Sequence, residues 1–185
     1  MKIAITGHRP DTFLISHYLI DTVKRIASDT VCVFQREFKD DLMFILGGAL
    51  GADQYVGMGC IEHNTPYKMY LPFHPIMQTK YWTKDDRNEL DRQLSLAMGI
   101  DIIDPNIESV YNAKRYQERN IKMVDESNIV VAFWVGRRQG GTFNTIQYAL
   151  NQSKFVFNAL DNNRPIFKDD LNNGWTPPFL RKNNE

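Results

Sequence analysis

Three short loops of the chain combine glycines with side chains that can bind an anion. They are Gly7–Pro10, Gly47–Asp53 and Gly136–Thr145. Glycine lets the backbone approach a ligand closely, and a helix that starts in such a loop presents free N–H groups and the positive end of its dipole. The pattern therefore favours phosphate binding. It also fits ordinary tight turns, in which Asp53 is only a first-turn carboxylate and Thr142 caps a helix.

Other candidate ligand contacts lie in and around these loops. His8 is a candidate acid or base, although a lone histidine is more often structural, and Arg9 can hold a phosphate. Arg115 and Arg119 are four residues apart on a helix candidate, a pattern that by charge alone is typical of a solvated surface. The predicted binding set is Gly7, His8, Arg9, Gly47, Gly48, Ala49, Gly51, Asp53, Pro72, Phe73, Arg119, Asn120, Gly140, Gly141, Thr142, Asn144 and Thr145.

Aromatic residues could supply a surface for a nucleobase. Pro72-Phe73-His74-Pro75, followed by Tyr81-Trp82, can stack on a base, and it can equally fill the edge of the core. Arg137 and Arg138 lie beside the third glycine loop and could add positive charge, although exposed loop arginines usually have no specific role.

Composition limits the classes of function. The chain of 185 residues carries 22 Lys+Arg and 22 Asp+Glu, so its net charge is zero. This balance disfavours a protein that coats nucleic acid or an anionic membrane, and it points to a small ligand. Two cysteines and four scattered histidines predict neither a disulfide framework nor a metal site, and no cofactor is expected. Without a signal-peptide pattern or an apolar run of about 20 residues, we expect a cytoplasmic protein with no membrane partner.

Short apolar runs alternate with longer amphipathic stretches. This alternation predicts the α/β class, with a Rossmann-like, doubly wound, mainly parallel sheet and helices on both faces. Ligands of such sheets bind outside the carboxyl ends of the strands, where the three glycine loops would lie. The predicted strands are Lys2–Thr6, Met43–Leu46, Tyr67–Leu71, Ile100–Ile103, Asn128–Trp134 and Lys154–Asn158, and the predicted helices are 13–38 with Asp11 as N-cap, 51–63, one fed by a loop within 72–94, 111–126 and 140–152.

The chain divides into one domain and a tail. Residues 1–160 are predicted to form the nucleotide-binding domain. Residues 161–185 are polar and rich in turns, and we predict a C-terminal extension packed on the domain or trailing from it, with Trp175 and Phe179 as docking points. An apolar helix face with Leu14, Leu19 and Ile26 suits the core or a homo-oligomer equally well.

Five segments, in order, resemble the SLOG superfamily, which includes DNA-processing protein A, the LOG-type phosphoribohydrolases and the YpsA-like proteins. They are KIAITGHRP, GGALGADQ, YLPF with YW downstream, RYQERNIKMVDESNIVVAFW and GGTFNTIQYA, within about residues 1–158. The closest resemblance is to the YpsA-like branch. It implies a Rossmann-like fold whose glycine loops contact a nucleotide or a nucleotide-derived ligand.

The resemblance carries one LOG-type catalytic residue over and loses another. LOG-type enzymes cleave an N-glycosidic bond with an Arg in an ERKxxM-like segment and a Glu in a PGGxGTxxE loop. Glu118–Met123 matches the first segment, so Arg119 inherits the candidate role. After Thr145 the chain has Ile146-Gln147-Tyr148 and no Glu. Glycoside hydrolysis needs a group that activates water or stabilises the cationic centre, and Asp53 could substitute.

Three functions therefore stay open, and the chain is not assigned as an enzyme. The leading hypothesis is a protein that binds or senses a nucleotide-like small molecule. The alternatives are an N-glycosidic hydrolase that works with Arg119 and Asp53, and a DNA-binding accessory protein. The balanced charge makes nucleic acid the weaker candidate for a partner.

Overall fold

The first strand of the chain lies in the middle of the sheet and is apolar from Ile3 to Ile5, because both of its faces are covered there. The computed structural model describes residues 1–173. Its strands are β1 (Lys2–Gly7), β2 (Met43–Leu46), β3 (Tyr67–Phe73), β4 (Ile100–Asp104), β5 (Ile129–Phe133), β6 (Phe155–Asn158) and β7 (Arg164–Pro165). Its α-helices are α1 (Pro10–Ile15), α2 (Ile20–Phe38), α3 (Ala52–Glu62), α4 (Pro75–Gln78), α5 (Lys84–Leu96), α6 (Ala113–Glu126), α7 (Gly141–Asn151) and α8 (Lys168–Asn173).

The sheet has the order β4-β3-β2-β1-β5-β6-β7. Neighbouring strands are parallel except β7, which is antiparallel to β6. The chain first moves outward from β1 to β4 and then returns to place β5 on the other side of β1. Ligands of open α/β sheets bind at such a reversal, outside the carboxyl ends of the strands.

Two separate cores lie on the two faces of the sheet. Ile3 and Ile5 of β1 belong to the core shared with α2, α3 and α5, whereas Ala4, between them, belongs to the core shared with α6, α7 and α8. Alternate strand residues point to opposite faces, so this division requires helices on both sides. The predicted α/β fold, Rossmann-like and doubly wound, is confirmed.

The first predicted helix is divided in two. Its chain turns between Ser16 and Leu19, where His17 has a left-handed φ of 64°. The N-cap of α1 is Arg9 and not Asp11, because Pro10 occupies the first helical position and holds the residue before it in an extended conformation. Leu14 and Leu19 consequently lie on different segments, and both side chains are exposed.

Strand β3 is longer than predicted and includes Pro72 and Phe73. Proline lacks the N–H that a central strand must donate. The missing N–H of Pro72 breaks no hydrogen bond to β2, because β3 pairs with β2 only from Tyr67 to Met69. Phe73, which was predicted as a ligand contact, is 1% exposed.

The beginning of the predicted C-terminal extension adds to the sheet. Strand β7 pairs with β6, and the side chains of Ile166 and Leu171 are buried in the second core. The predicted docking residues Trp175 and Phe179 lie outside the described residues. No helix within residues 1–173 is long and apolar enough to cross a membrane.

Candidate functional site

A cavity of about 630 Å³ opens at the carboxyl edge of the sheet. The end of β1, the loop after β2, helix α6, the loop after β5 and the first turn of α7 line it. This is the position between β1 and β5 where the strand order reverses. Sites for small ligands typically measure about 300–1,000 Å³, so the cavity can enclose a ligand of nucleotide size.

Two glycines bring the first two loops together at the floor of the cavity. A Cβ on Gly7 would overlap that of Ala52 and lie 2.9 Å from that of Phe133, and a Cβ on Gly51 would overlap the carbonyl of His8. Gly51 also has a φ of +93°, which favours glycine. The N–H of Ala52 donates to the His8 carbonyl at 3.3 Å. These contacts fix the His8–Arg9 loop against the start of α3.

Arg119 and Asp53 form a buried ion pair beside the cavity. Arg119 Nη1 lies 3.4 Å from Asp53 Oδ2, and the two residues are 5% and 8% exposed. The N–H of Ala49 also donates to Oδ2, at 3.2 Å. Burial raises the pKa of the Asp53 carboxyl, an effect that the Arg119 charge opposes. Burial likewise lowers the pKa of Arg119, although a guanidinium stays protonated in proteins.

The pair needs the glycine at position 47. A Cβ on Gly47 would overlap the Arg119 guanidinium and lie 2.8 Å from Asp53 Oδ2. Gly47 therefore acts by leaving space for Arg119. Within residues 1–173, the buried atoms Arg119 Nε and Asp53 Oδ1 have no hydrogen-bond partner, which is unusual for buried polar groups.

His8 lines the same cavity and is 8% exposed. Burial and the nearby Arg137 charge lower the pKa of His8 to about 4, against a smaller opposing effect of Asp11. The ring is therefore neutral at pH 7. Among the described residues its Nε2 has no hydrogen-bond partner. His8 therefore adds no charge to the cavity wall at neutral pH.

The first turn of α7 faces the cavity, and no side chain among residues 1–173 caps its amides. Its N-cap is Gly140, with a φ of +88° and no side-chain cap. In the described part of the chain, a Cβ on Gly140 would meet nothing within 4 Å, and one on Gly141 would meet only Asn120 Nδ2, at 3.9 Å. An uncapped helix N-terminus beside open space is a site for a phosphate or carboxylate.

The walls of the cavity are positively charged. They carry three guanidinium groups, on Arg9, Arg119 and Arg137, against the single carboxylate of Asp53, which gives a net charge of +2. No ion pair found among residues 1–173 includes Arg9 or Arg137. The Gln139 amide lies against Arg137, and in the orientation that satisfies both groups its oxygen accepts from Nη2 at 2.9 Å.

The structure brings most of the predicted binding residues to this cavity, but not all of them. The residues of the set that line it are Gly7, His8, Arg9, Ala49, Asp53, Arg119, Asn120, Gly140, Gly141, Thr142 and Asn144. Gly47 and Gly51 do not line the cavity, but they leave space for Arg119 and for the His8 backbone, which do. A Cβ on Gly48 would point at Leu71 in the core. Thr145 donates its hydroxyl to the Gly141 carbonyl at 2.8 Å.

The aromatic wall of the cavity consists of residues other than Phe73, Tyr81 and Trp82, for which the sequence left stacking on a base and filling of the core equally open. Tyr111 and Tyr116 line the cavity, whereas Phe73 and Trp82 pack in the interior and Tyr81 is exposed elsewhere. Gln117 and Gln139 were also missed. The signal was the helical spacing of Tyr116, Arg119 and Asn120, which share one face of α6. Arg119 was predicted as a ligand contact although charge alone is typical of a solvated surface, and its burial depends on Asp53, which is 66 residues away in sequence.

Comparisons with known proteins identify the fold. No protein-family model matches the chain, and no curated protein matches its sequence. DNA processing protein A from Streptococcus pneumoniae has a similar structure, with a TM-score of 0.59 and 14% identity over 85% of this chain and 49% of that protein. The Helicobacter pylori protein of the same name gives 0.55 and 17% over 85% and 64%. The protein TM1055 gives 0.52 and 14% over 84% and 71%.

These similarities concern the fold. The chain spans about half of the first of these proteins and just under two thirds of the second. Membership of the YpsA-like branch stays a prediction. The strand order, the position of the glycine loops and the structural matches agree with the fold that the sequence resemblance implied, and the chain shares the Rossmann-like fold of DNA processing protein A and TM1055.

Proposed function

We propose that the chain binds a nucleotide, or a small molecule derived from one, in the cavity between β1 and β5. The observation that carries the proposal is the uncapped N-terminus of α7, which opens onto walls with a net charge of +2. A phosphate monoester carries between about −1.5 and −2 charges at pH 7, so it would neutralise these walls. Free amides and guanidinium groups are the donors that phosphate oxygens accept from.

A thermal-shift panel of nucleotides tests this function. A ligand at 100 times its dissociation constant should stabilise the protein by about 2.7 kcal/mol. Arg137→Gln removes a charge from the wall and should weaken binding about tenfold, because a hydrogen bond to a charged group contributes roughly 1.5 kcal/mol or more. Arg138→Gln is the matched control, since Arg138 is adjacent and exposed but does not line the cavity. A panel without any shift would contradict the proposal.

The hydrolase alternative is supported by one observation, the position of Asp53 in the cavity wall with its Oδ1 unpartnered among the described residues. In this proposal the Asp53 carboxylate takes a proton from the water that attacks the sugar C1′, the bond from C1′ to the base breaks, and Arg119 stabilises the negative charge left on the departing base. Incubation with nucleoside monophosphates would then release free base, and Asp53→Asn would abolish the release. Intact nucleotides after prolonged incubation with the wild-type protein would exclude it.

A DNA-binding role is supported only by the comparison, because the Helicobacter pylori DNA processing protein A binds single-stranded DNA. If the protein contacts Z phosphates of a single strand, the logarithm of the binding constant should fall with the logarithm of the salt concentration, with a slope of about −0.7Z. We expect oligonucleotides to compete with mononucleotides for the cavity. We also expect their binding constant to depend only weakly on salt concentration. A steep slope without competition would indicate a separate DNA-binding surface.

A further inference from the structure

An aromatic pair forms one wall of the cavity and is attached to the sheet. The rings of Tyr111 and Tyr116 have centroids 5.7 Å apart, tilted by 44°. Tyr116 in turn packs edge-to-face on Phe73, with centroids 5.6 Å apart. Exposure rises along this row from Phe73 at 1% to Tyr111 at 65%. The buried end holds Tyr116 in place, and the outer ring has a face left to cover.

The aromatic pair lies one helical turn from the phosphate site. Asn120 of α6 faces the first turn of α7, where its Nδ2 lies 3.9 Å from the position that a Cβ on Gly141 would take. Tyr116 precedes Asn120 by four residues, which is about 6 Å along the helix axis at 1.5 Å per residue. Gln117, between them, also lines the cavity. The aromatic pair and the start of α7 are therefore close enough for one nucleotide to contact both.

Guanidinium groups lie near both ends of the site, and the two ends differ in the surface that they offer to a ligand. Arg137 lies near His8 and the start of α7, and its charge lowers the pKa of His8. Near the aromatic pair, burial raises the pKa of Tyr116, and the Arg9 guanidinium opposes that rise, so the phenol stays protonated. The aromatic end thus offers flat apolar surface, and the glycine end offers donors to an anion.

On the basis of the proposed function, we infer that Tyr111 and Tyr116 stack on the nucleobase of the ligand while its phosphate lies at the start of α7. Every base has an aromatic face, so stacking gives affinity without strong selection among bases. The ligand class is then a purine or pyrimidine mononucleotide, and a sugar phosphate without a base would bind less tightly.

Titration calorimetry with AMP, GMP, CMP, UMP and ribose 5-phosphate tests the inference. Tyr111→Ala should weaken the four mononucleotides about 5- to 150-fold, the range measured for loss of a base–aromatic stack. It should leave ribose 5-phosphate within about twofold of the wild-type value. Tyr111→Phe keeps the ring and should restore most of the affinity. Tyr81→Ala is the matched control, because Tyr81 is an exposed tyrosine outside the cavity.

The outcomes separate this inference from the proposed function. If the wild-type protein binds neither the mononucleotides nor ribose 5-phosphate, the proposed function fails, and the stacking role fails with it. If the wild-type protein binds them all equally, or if Tyr111→Ala weakens ribose 5-phosphate as much as AMP, only the stacking role is refuted. Tyr116→Leu is a second test of the stacking role, since it removes the inner ring and keeps an apolar side chain against Phe73.

Discussion

Breaking the buried ion pair between Arg119 and Asp53 should be costly, and the cost should depend on which partner is removed. Both side chains are less than 9% exposed, and Arg119 Nη1 lies 3.4 Å from Asp53 Oδ2. Removing one partner of such a pair leaves an uncompensated buried charge, which costs roughly 3–5 kcal/mol. That is a large part of the roughly 5–15 kcal/mol by which a domain is stable.

Protonation makes the two single variants differ. In Arg119→Met the Asp53 carboxyl can take up a proton, because burial raises its pKa and the opposing guanidinium is gone. The destabilisation should therefore be largest at pH 7 and shrink as the pH falls toward 4. In Asp53→Asn the guanidinium remains charged at every accessible pH, so that loss of stability should not shrink.

Urea unfolding of both single variants and of the double variant Asp53→Leu/Arg119→Met, at pH 7 and pH 4.5, measures these effects. The double variant should recover most of the loss, because a hydrophobic pair often replaces a buried ion pair without cost. Arg115→Met on the same helix is the control, since Arg115 is only half-buried, its ion pairs lie at the surface, and its loss should change stability little. The account would be refuted if the single variants were as stable as the wild type. It would also be refuted if the loss of stability depended on pH equally in Arg119→Met and Asp53→Asn.

Three further predictions concern the same cavity. Gly47→Ala should displace Arg119 and destabilise the protein by roughly 1–3 kcal/mol, whereas Gly99→Ala, whose Cβ would meet nothing closer than 3.6 Å, should be nearly neutral in thermal melts. His8, with a folded pKa of about 4 against 6.5 unfolded, should contribute full stability above pH 6.5 and lose roughly 2 kcal/mol between pH 7 and pH 5. His8→Gln should remove that part of the pH dependence in urea titrations, and an unchanged dependence would mean that His8 titrates normally. Finally, AMP binding should weaken several-fold from pH 7 to pH 5, because the phosphate loses a charge near pH 6 while His8 remains mostly neutral; constant affinity in calorimetry would place the phosphate elsewhere.

The strand–helix alternation and the edge where the loops meet were predictable from local pattern. Apolar runs such as Met43–Leu46, ending at Gly47-Gly48, carry their own boundary signals, and topology rules place their carboxyl ends together. The break between α1 and α2 was not predictable in this way. It depends on a left-handed His17, a residue whose type does not require that conformation.

The side chains of the site were harder to predict because their environment is set by distant residues. Nothing near Arg119 in sequence indicates burial, since its carboxylate partner comes from α3. Phe73 was expected to touch the ligand, yet its ring supports Tyr116 from the interior. In both cases the residue type was informative about chemistry, whereas tertiary packing decided which atom faces the cavity.

The pairing of β1 with both β2 and β5 has a consequence for how the protein folds. The Lys2 N–H donates to the Asn128 side chain across 126 positions of the chain, so the second neighbour of β1 can join only after a very large loop closes. Until it does, strands β1 to β4 can form a half-sheet, but Arg119, Arg137 and the start of α7 have no fixed place beside Gly7. Synthesis on the ribosome would therefore give a partly ordered chain without a cavity until β5 emerges, and a nucleotide could assist only the last stage of folding.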